Sequence, residues 1–144
     1  MFLYLDTSAI VKLVIEEPDT SAVESAIAHC EAAFSSRLAV VECARAMARV
    51  SNHRAVSTTA EIFEALVLHE VSEAVLEQAA TLTPSSLRSL DAIHLATAVL
   101  LDHDQPGLAF VTYDAKLAQA AKAQGLSVLQ PSRPSKLLGR ALKV

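Results

Sequence analysis

The chain opens with Phe2-Leu3-Tyr4-Leu5, four apolar residues with no polar face, and breaks at once to Asp6. A run this short is not a helix, and it lacks the alternation of a strand with one wet side. It reads as a strand covered on both faces, near the middle of a parallel sheet. Asp6 then stands at the carboxyl end of that strand, where open α/β sheets have their binding crevice. Thr7 or Ser8 can cap the apolar stretch from Ala9 to Ile15 as a helix. Taken alone, Asp6 is equally well explained as an acid beside the positive end of that helix. The question is whether other carboxylates reach the same point.

The rest of the chain repeats these two patterns. Glu16-Glu17-Pro18-Asp19 interrupts the first helix, and Asp19 or Thr20 caps a second that runs to about His29. Ala33 to Ser35 reads as a short second strand. Ser36 caps a long amphipathic helix from about Leu38 to Ser51, and another helix spans Thr58 to about Leu66. Val67 to Val71 is a third strand with a partly polar edge. Ser72 caps a helix from Glu73 to about Leu82, which Thr83-Pro84-Ser85-Ser86 ends. A strongly apolar helix from Arg88 to Leu101 stops at Asp102-His103-Asp104-Gln105-Pro106-Gly107. Leu108 to Val111 is the fourth strand. A helix from Ala115 to Gln124 closes at Gly125, a residue suited to the left-handed position after a helix, and Leu126 to Leu129 is the fifth strand. Strands alternating with helices predict an α/β fold whose parallel sheet is covered on both faces.

The 144 residues fit one domain. With 52% apolar residues and only eight Gly and Pro positions the chain is globular, and no segment approaches a membrane span. Met1 leads straight into the first strand without a basic or cleavable leader, so a cytoplasmic location is expected. Cys30 and Cys43, at no metal-ligand spacing, read as apolar fillers on helices. Charge is informative by place. The net charge is −4, but the fourteen residues from Pro131 hold Arg133, Lys136, Arg140 and Lys143 without an acid, so the tail carries +4 and the body −8. A body that negative binds phosphate backbones poorly unless divalent cations or local basic side chains supply the attraction.

Three further acids deserve the same question as Asp6. Asp114 repeats its setting, an apolar strand and a short polar step before an acid that opens a helix. Two parallel strands then bring two carboxylates to one sheet edge. Glu42 and Asp91 lie inside apolar helices, where an acid is costly to bury unless paired, protonated or bound to a cation. Glu42 has ordinary partners in Arg45 or Arg49 on its own helix face, and Asp91 can be a first-turn acid favoured by the helix dipole. Converging carboxylates without a Cys or His cluster suit Mg²⁺ or Mn²⁺ rather than Zn²⁺. His94, three residues after Asp91, reads as a packed or hydrogen-bonded helix residue, since no second His recurs at ligand spacing. Thr7, Ser8 and Thr112 are candidates to orient the carboxylates through their hydroxyls.

The motifs in order are Asp6-Thr-Ser-Ala, Glu42-x-x-Arg45-Ala, Leu90-Asp91-Ala-Ile-His94-Leu-Ala-Thr-Ala and Thr112-Tyr-Asp114-x-x-Leu-x-x-Ala-Ala, followed by Gly125-Leu. Together they resemble the PIN-domain nucleases, and among these most the VapC toxins of bacterial toxin–antitoxin pairs. The resemblance covers Met1 to about Pro131. It implies a PIN-like domain over residues 1–131, with 132–144 as a basic tail outside the motifs. It implies a three-layer α/β/α sandwich around a mostly parallel five-stranded sheet. It further implies Mg²⁺- or Mn²⁺-dependent endoribonuclease activity on RNA, a homodimer, and a cognate VapB-like antitoxin that obstructs the site. By motif position Asp6, Glu42, Asp91 and Asp114 are the family's acidic, metal-binding and catalytic set. Arg45, Arg49, Lys116 and the basic tail are candidate RNA phosphate contacts.

Two rival classes remain in view. A phosphoaspartate hydrolase also begins strand-then-Asp, but it wants a second Asp two residues on, where this chain has Ser8. A phospho-receiver-like regulatory domain wants adjacent acids after the first strand and a Lys after the fifth, where Leu5 precedes Asp6 and Gln130 follows. A catalytically silent PIN-like binding module is the third alternative, and intact acids at all four positions argue against it.

Overall fold

The computed structural model describes residues 1–50 and 53–133. Five strands form one sheet in the order β3-β2-β1-β4-β5, with every pairing parallel. They are β1 (Phe2–Leu5), β2 (Ala32–Ser36), β3 (Val67–His69), β4 (Leu108–Val111) and β5 (Ser127–Leu129). The first strand is thus the central one, as its two-sided apolar run requires. The helices are α1 (Thr7–Val14), α2 (Thr20–His29), α3 (Leu38–Val50), α4 (His53–Glu64), α5 (Glu73–Thr81), α6 (Ser89–Asp104) and α7 (Ala115–Ala123).

The period of two along β1 divides the core. Leu3 and Leu5 face one layer with Ala9, Ile10, Val23, Ala39 and Cys43, contributed by α1, α2 and α3. Tyr4 faces the other with Phe34, Phe110 and the buried faces of α6 and α7. The sheet is therefore the middle of three layers, and each fully buried leucine contributes about 1.5–3 kcal/mol by leaving water. On the second face the Tyr4 and Phe110 rings stack with centroids 5.4 Å apart. Both cysteines are free, and burial pushes the Cys43 thiol up to about 12, consistent with an apolar filler. Among the described residues no helix is long and apolar enough to cross a membrane.

Several local expectations are corrected. Neither Thr7 nor Ser8 caps α1; Asp6 does, accepting from the Ala9 amide at 3.0 Å, so the helix begins at Thr7. A carboxylate placed one residue earlier reaches the free amides of the first turn just as a hydroxyl would. The third strand stops at His69 rather than Val71, because its pairing with β2 ends at Ser36 and among the described residues no other strand pairs with it. The helix expected from Thr58 begins at His53. The sixth helix continues past Leu101 to Asp104. Asp and His are tolerated in a last turn, and the chain turns only at Pro106 and Gly107, the latter at φ 91°, while Asp102 accepts the Leu108 amide at 3.1 Å to bring the chain back into β4. Ser72 caps α5 as expected, and Gly125 adopts φ 85° after α7. Most of the basic tail, residues 134–144, lies outside the described residues.

Candidate active site

The carboxyl ends of β1 and β4 are tied together at the point where each runs into a helix. The Asp6 amide continues the ladder by donating to the Val111 carbonyl at 3.2 Å. Thr112 donates from Oγ1 to Asp6 Oδ2 at 2.6 Å and accepts the Asp114 amide at 3.1 Å. Ser8 donates to Asp6 Oδ1 at 2.7 Å and accepts the Tyr113 amide at 2.9 Å. These two hydroxyls stitch one strand–helix junction to the other and fix the orientation of Asp6, which is only 3% exposed. Asp114 caps α7 through Oδ1, which accepts the Leu117 amide at 2.9 Å.

Asp91 comes to this edge from the first turn of α6, with Arg88 Nε 3.7 Å from its Oδ2. Burial raises its carboxyl above the ordinary range, and the negative charges of Asp114 and, more weakly, Asp6 add to the rise against Arg88. Asp6 is also raised, because burial outweighs the hydrogen bonds from Thr112, Ser8 and the Ala9 amide. Burial therefore makes both acids resist carrying charge, and at Asp91 the charges of Asp114 and Asp6 add to that resistance.

Glu42 is held in another way. Its Oε1 accepts from Thr7 Oγ1 at 2.7 Å and from His94 Nε2 at 2.6 Å. His94 is 1% exposed and meets the Tyr4 hydroxyl through Nδ1 at 2.8 Å, while its Nε2 also lies 3.2 Å from Thr7. Burial keeps the Tyr4 phenol protonated by raising it well above its ordinary value. For Glu42, burial pushes the carboxyl up, but His94, by hydrogen bond and charge, and the Thr7 hydroxyl outweigh it, so the net direction is down.

Of the residues singled out in the sequence, Asp6, Asp91 and Asp114 thus share one electrostatic neighbourhood, and Thr7, Ser8 and Thr112 each hydrogen-bond a carboxylate. Arg45 and Arg49 do not pair with Glu42; both are exposed on α3, and the Glu42 carboxylate meets His94 instead. Lys116 lies near the acids, lining a cleft with Asp91 and Asp114. The reading of His94 as a hydrogen-bonded helix residue holds, but its bond to an acid of the site was missed. Its visible signal, a histidine one turn after Asp91 on an apolar face, gave no hint of a partner 52 residues away.

The donor set is all oxygen and mostly carboxylate, which suits a hard divalent cation. Among the described residues Asp91 Oδ1 and Asp114 Oδ2 accept no hydrogen bond, whereas both oxygens of Asp6 do. No three His, Cys, Asp or Glu side chains among the described residues already stand at ligand spacing. Carboxylates that repel one another in this way have a chemical affinity for positive charge, but the cage is not closed as the side chains stand.

Residues 3–123 match the model of the PIN domain family. Ribonuclease VapC46 of Mycobacterium tuberculosis is 40% identical over 136 residues, covering 90% of this chain and 98% of that protein. Ribonuclease VapC47 of the same species is 35% identical, covering 90% of this chain and 96% of that protein. Among solved structures, VapBC2 from Rickettsia felis bound to a promoter DNA fragment matches with TM-score 0.69 at 13% identity, over 90% of this chain and 98% of that one. VapC20 of M. tuberculosis, described as a sarcin-ricin loop cleaving toxin, matches with TM-score 0.68 at 18% identity, over 90% and 99%. The structural matches carry the fold; the family model and the sequence relatives carry the kinship. This chain belongs to the PIN-domain family, among its VapC-type ribonucleases.

Proposed function

We propose that this protein is an endoribonuclease that hydrolyses RNA phosphodiester bonds with Mg²⁺ or Mn²⁺, and that it is the toxin of a toxin–antitoxin pair inhibited by a cognate VapB-like antitoxin. The observation that carries the reading is the shared neighbourhood of Asp6, Asp91 and Asp114, in which burial and mutual repulsion raise Asp91 while Glu42 is fixed separately. The names of the relatives, ribonucleases and VapBC complexes, support the activity and the partner.

In this reading Asp6, Asp91 and Asp114 hold the ion, and Glu42 stands beside it without binding it. Once bound, the ion supplies positive charge and Lewis acidity opposite the scissile phosphate. Glu42, with Oε1 engaged by Thr7 and His94, keeps Oε2 to orient the attacking water and take its proton as the new bond to phosphorus forms and the bond to the leaving oxygen breaks. Ser8 and Thr112 keep Asp6 from turning away, and no covalent nucleophile is needed. Arg45, Arg49 and Lys116 are proposed phosphate contacts, joined by the basic segment 132–144, which this reading separates from the nuclease domain 1–131. A homodimer that covers the exposed Val40 and Val41 of α3 completes the proposal.

The test is cleavage of total RNA by the purified chain with Mg²⁺, with Mn²⁺ and with EDTA, repeated for Asp6→Asn and Asp91→Asn. Metal-dependent cutting that both variants lose, with unchanged circular dichroism, supports the reading. Undiminished cutting by both variants overturns the site. Sequencing the RNA ends that appear after brief induction in cells names the substrate.

A further inference from the structure

A cleft of about 570 Å³ opens beside the acids, between α7 and the segment leading into α6. It is of a size that holds small molecules, roughly 300–1,000 Å³, and it is continuous with the site because Asp91 and Asp114 form part of its wall. On the α7 side Lys116, Gln119, Ala120 and Ala123 fall on one stripe, and the two alanines leave the space open. Leu87 faces them from the other side, and Arg88 stands over Asp91 with its side chain 84% exposed.

We propose that this cleft is a nucleotide pocket, taking the unpaired base next to the bond that is cut and so setting sequence preference; the proposal rests on the nuclease reading above. Each part has a use for that ligand. An apolar surface from Leu87 and Ala123 accepts the faces of a base. The Gln119 amide, at once donor and acceptor, can meet the hydrogen-bonding edge of the base. Arg88 and Lys116 place two cations beside the acids of a body that is otherwise strongly negative, where the phosphates flanking the base must pass. A base still paired in a helix cannot enter a cleft in the protein, so only an unpaired or splayed-out base fills it. The same two cations disfavour the other conceivable occupant, a cationic inhibitory peptide seeking the acids.

The experiment compares wild type, Ala123→Phe, Gln119→Ala and the control Ala28→Phe, an exposed position on α2, using a short random-sequence single-stranded RNA pool. KM and kcat are read from cleavage, base preference from sequencing of the ends, and affinity from anisotropy of the fluorescein-labelled pool. Melting temperatures verify that the variants fold. Filling the cleft with Ala123→Phe is expected to raise KM about tenfold with a smaller change in kcat, as expected for a modest steric loss in a pocket. Gln119→Ala is expected to change which base is preferred, and Ala28→Phe to change neither. A wild type that cuts, with cleft variants that keep its KM and preference, overturns the pocket and leaves the nuclease standing. A wild type that neither cuts nor binds the pool with Mg²⁺ or Mn²⁺ overturns both. Loss of antitoxin binding by Ala123→Phe with RNA kinetics intact also overturns the proposal, by assigning the cleft to a peptide.

Discussion

Asp6, Asp91 and Asp114 sit at the amino ends of three helices, two as caps and one in a first turn, whereas Glu42 sits a full turn inside α3. Helix amino ends favour negative charge by about 0.3–1 kcal/mol apiece, yet Asp6 and Asp91 are still raised. Glu42 lies beyond the reach of such an end and is lowered, because His94 and Thr7 answer its charge with hydrogen bonds. Asp6 and Asp91 therefore retain an unmet demand for positive charge, and the glutamate does not. A divalent cation meets the first condition. A carboxylate already satisfied on one oxygen, with the other available, is suited to guiding water.

The largest effect expected from this contrast is on the aspartate side. Asp6→Asn or Asp91→Asn should reduce metal-dependent cleavage by about 10³-fold or more, since each removes a ligand charge that holds the cation proposed to compensate the phosphate's charge in the transition state. The same variants should lose the rise in melting temperature that millimolar Mn²⁺ is expected to give the wild type, because only a folded state that binds the ion is stabilised by it. A persistent Mn²⁺ shift in both variants would break the division between the two halves.

Glu42→Gln should behave differently. We expect kcat to fall about 10²-fold, the lower range for losing a proton acceptor, with the Mn²⁺ shift largely kept. His94→Gln, which can still donate one hydrogen bond, should cost less than His94→Leu. Both should fall within about 10–100-fold, the usual effect of removing a group that orients a reacting one. Calorimetric Mn²⁺ titration separates the halves: a large loss of affinity in the His94 variants would move Glu42 into the metal set.

The strand–acid–helix units were legible because their signals are local. Phe2 to Leu5 and Leu108 to Val111 are apolar runs that end within three residues of an acid, and a parallel sheet brings such ends to one edge whatever lies between. The support of Glu42 was not legible. Arg45 and Arg49 were nearer in sequence and of opposite charge, but as long exposed side chains they are better solvated away from the buried edge, while His94 arrives from a helix on another part of the fold. Arg88 and Gln119 were passed over for the same reason: each is an ordinary surface residue until the cleft between α7 and the turn before α6 exists. Helix ends shifted by a few residues where the capping group was a carboxylate, as at Asp6, or where the stop signal was Pro-Gly rather than the acids before it, as at Asp104.

The smallest effect is on stability, and it sharpens the contrast because the two sides take opposite signs. A carboxyl raised in the fold favours the folded state while it is protonated, and that contribution is lost as pH rises through its folded value. Asp91→Asn, which stays neutral, should therefore melt above the wild type in EDTA at pH 7, by about 3 °C for each kcal/mol relieved, and the gap should close as the pH falls into the acid range. A carboxyl lowered in the fold stabilises when ionised, and that contribution is lost as pH falls through its folded value. Glu42→Gln should therefore melt below the wild type at pH 7 and converge with it only at lower pH. Adding Mn²⁺ should reverse the first comparison, lifting the wild type above Asp91→Asn, and leave the sign of the second unchanged, because only the aspartates were lacking a positive charge.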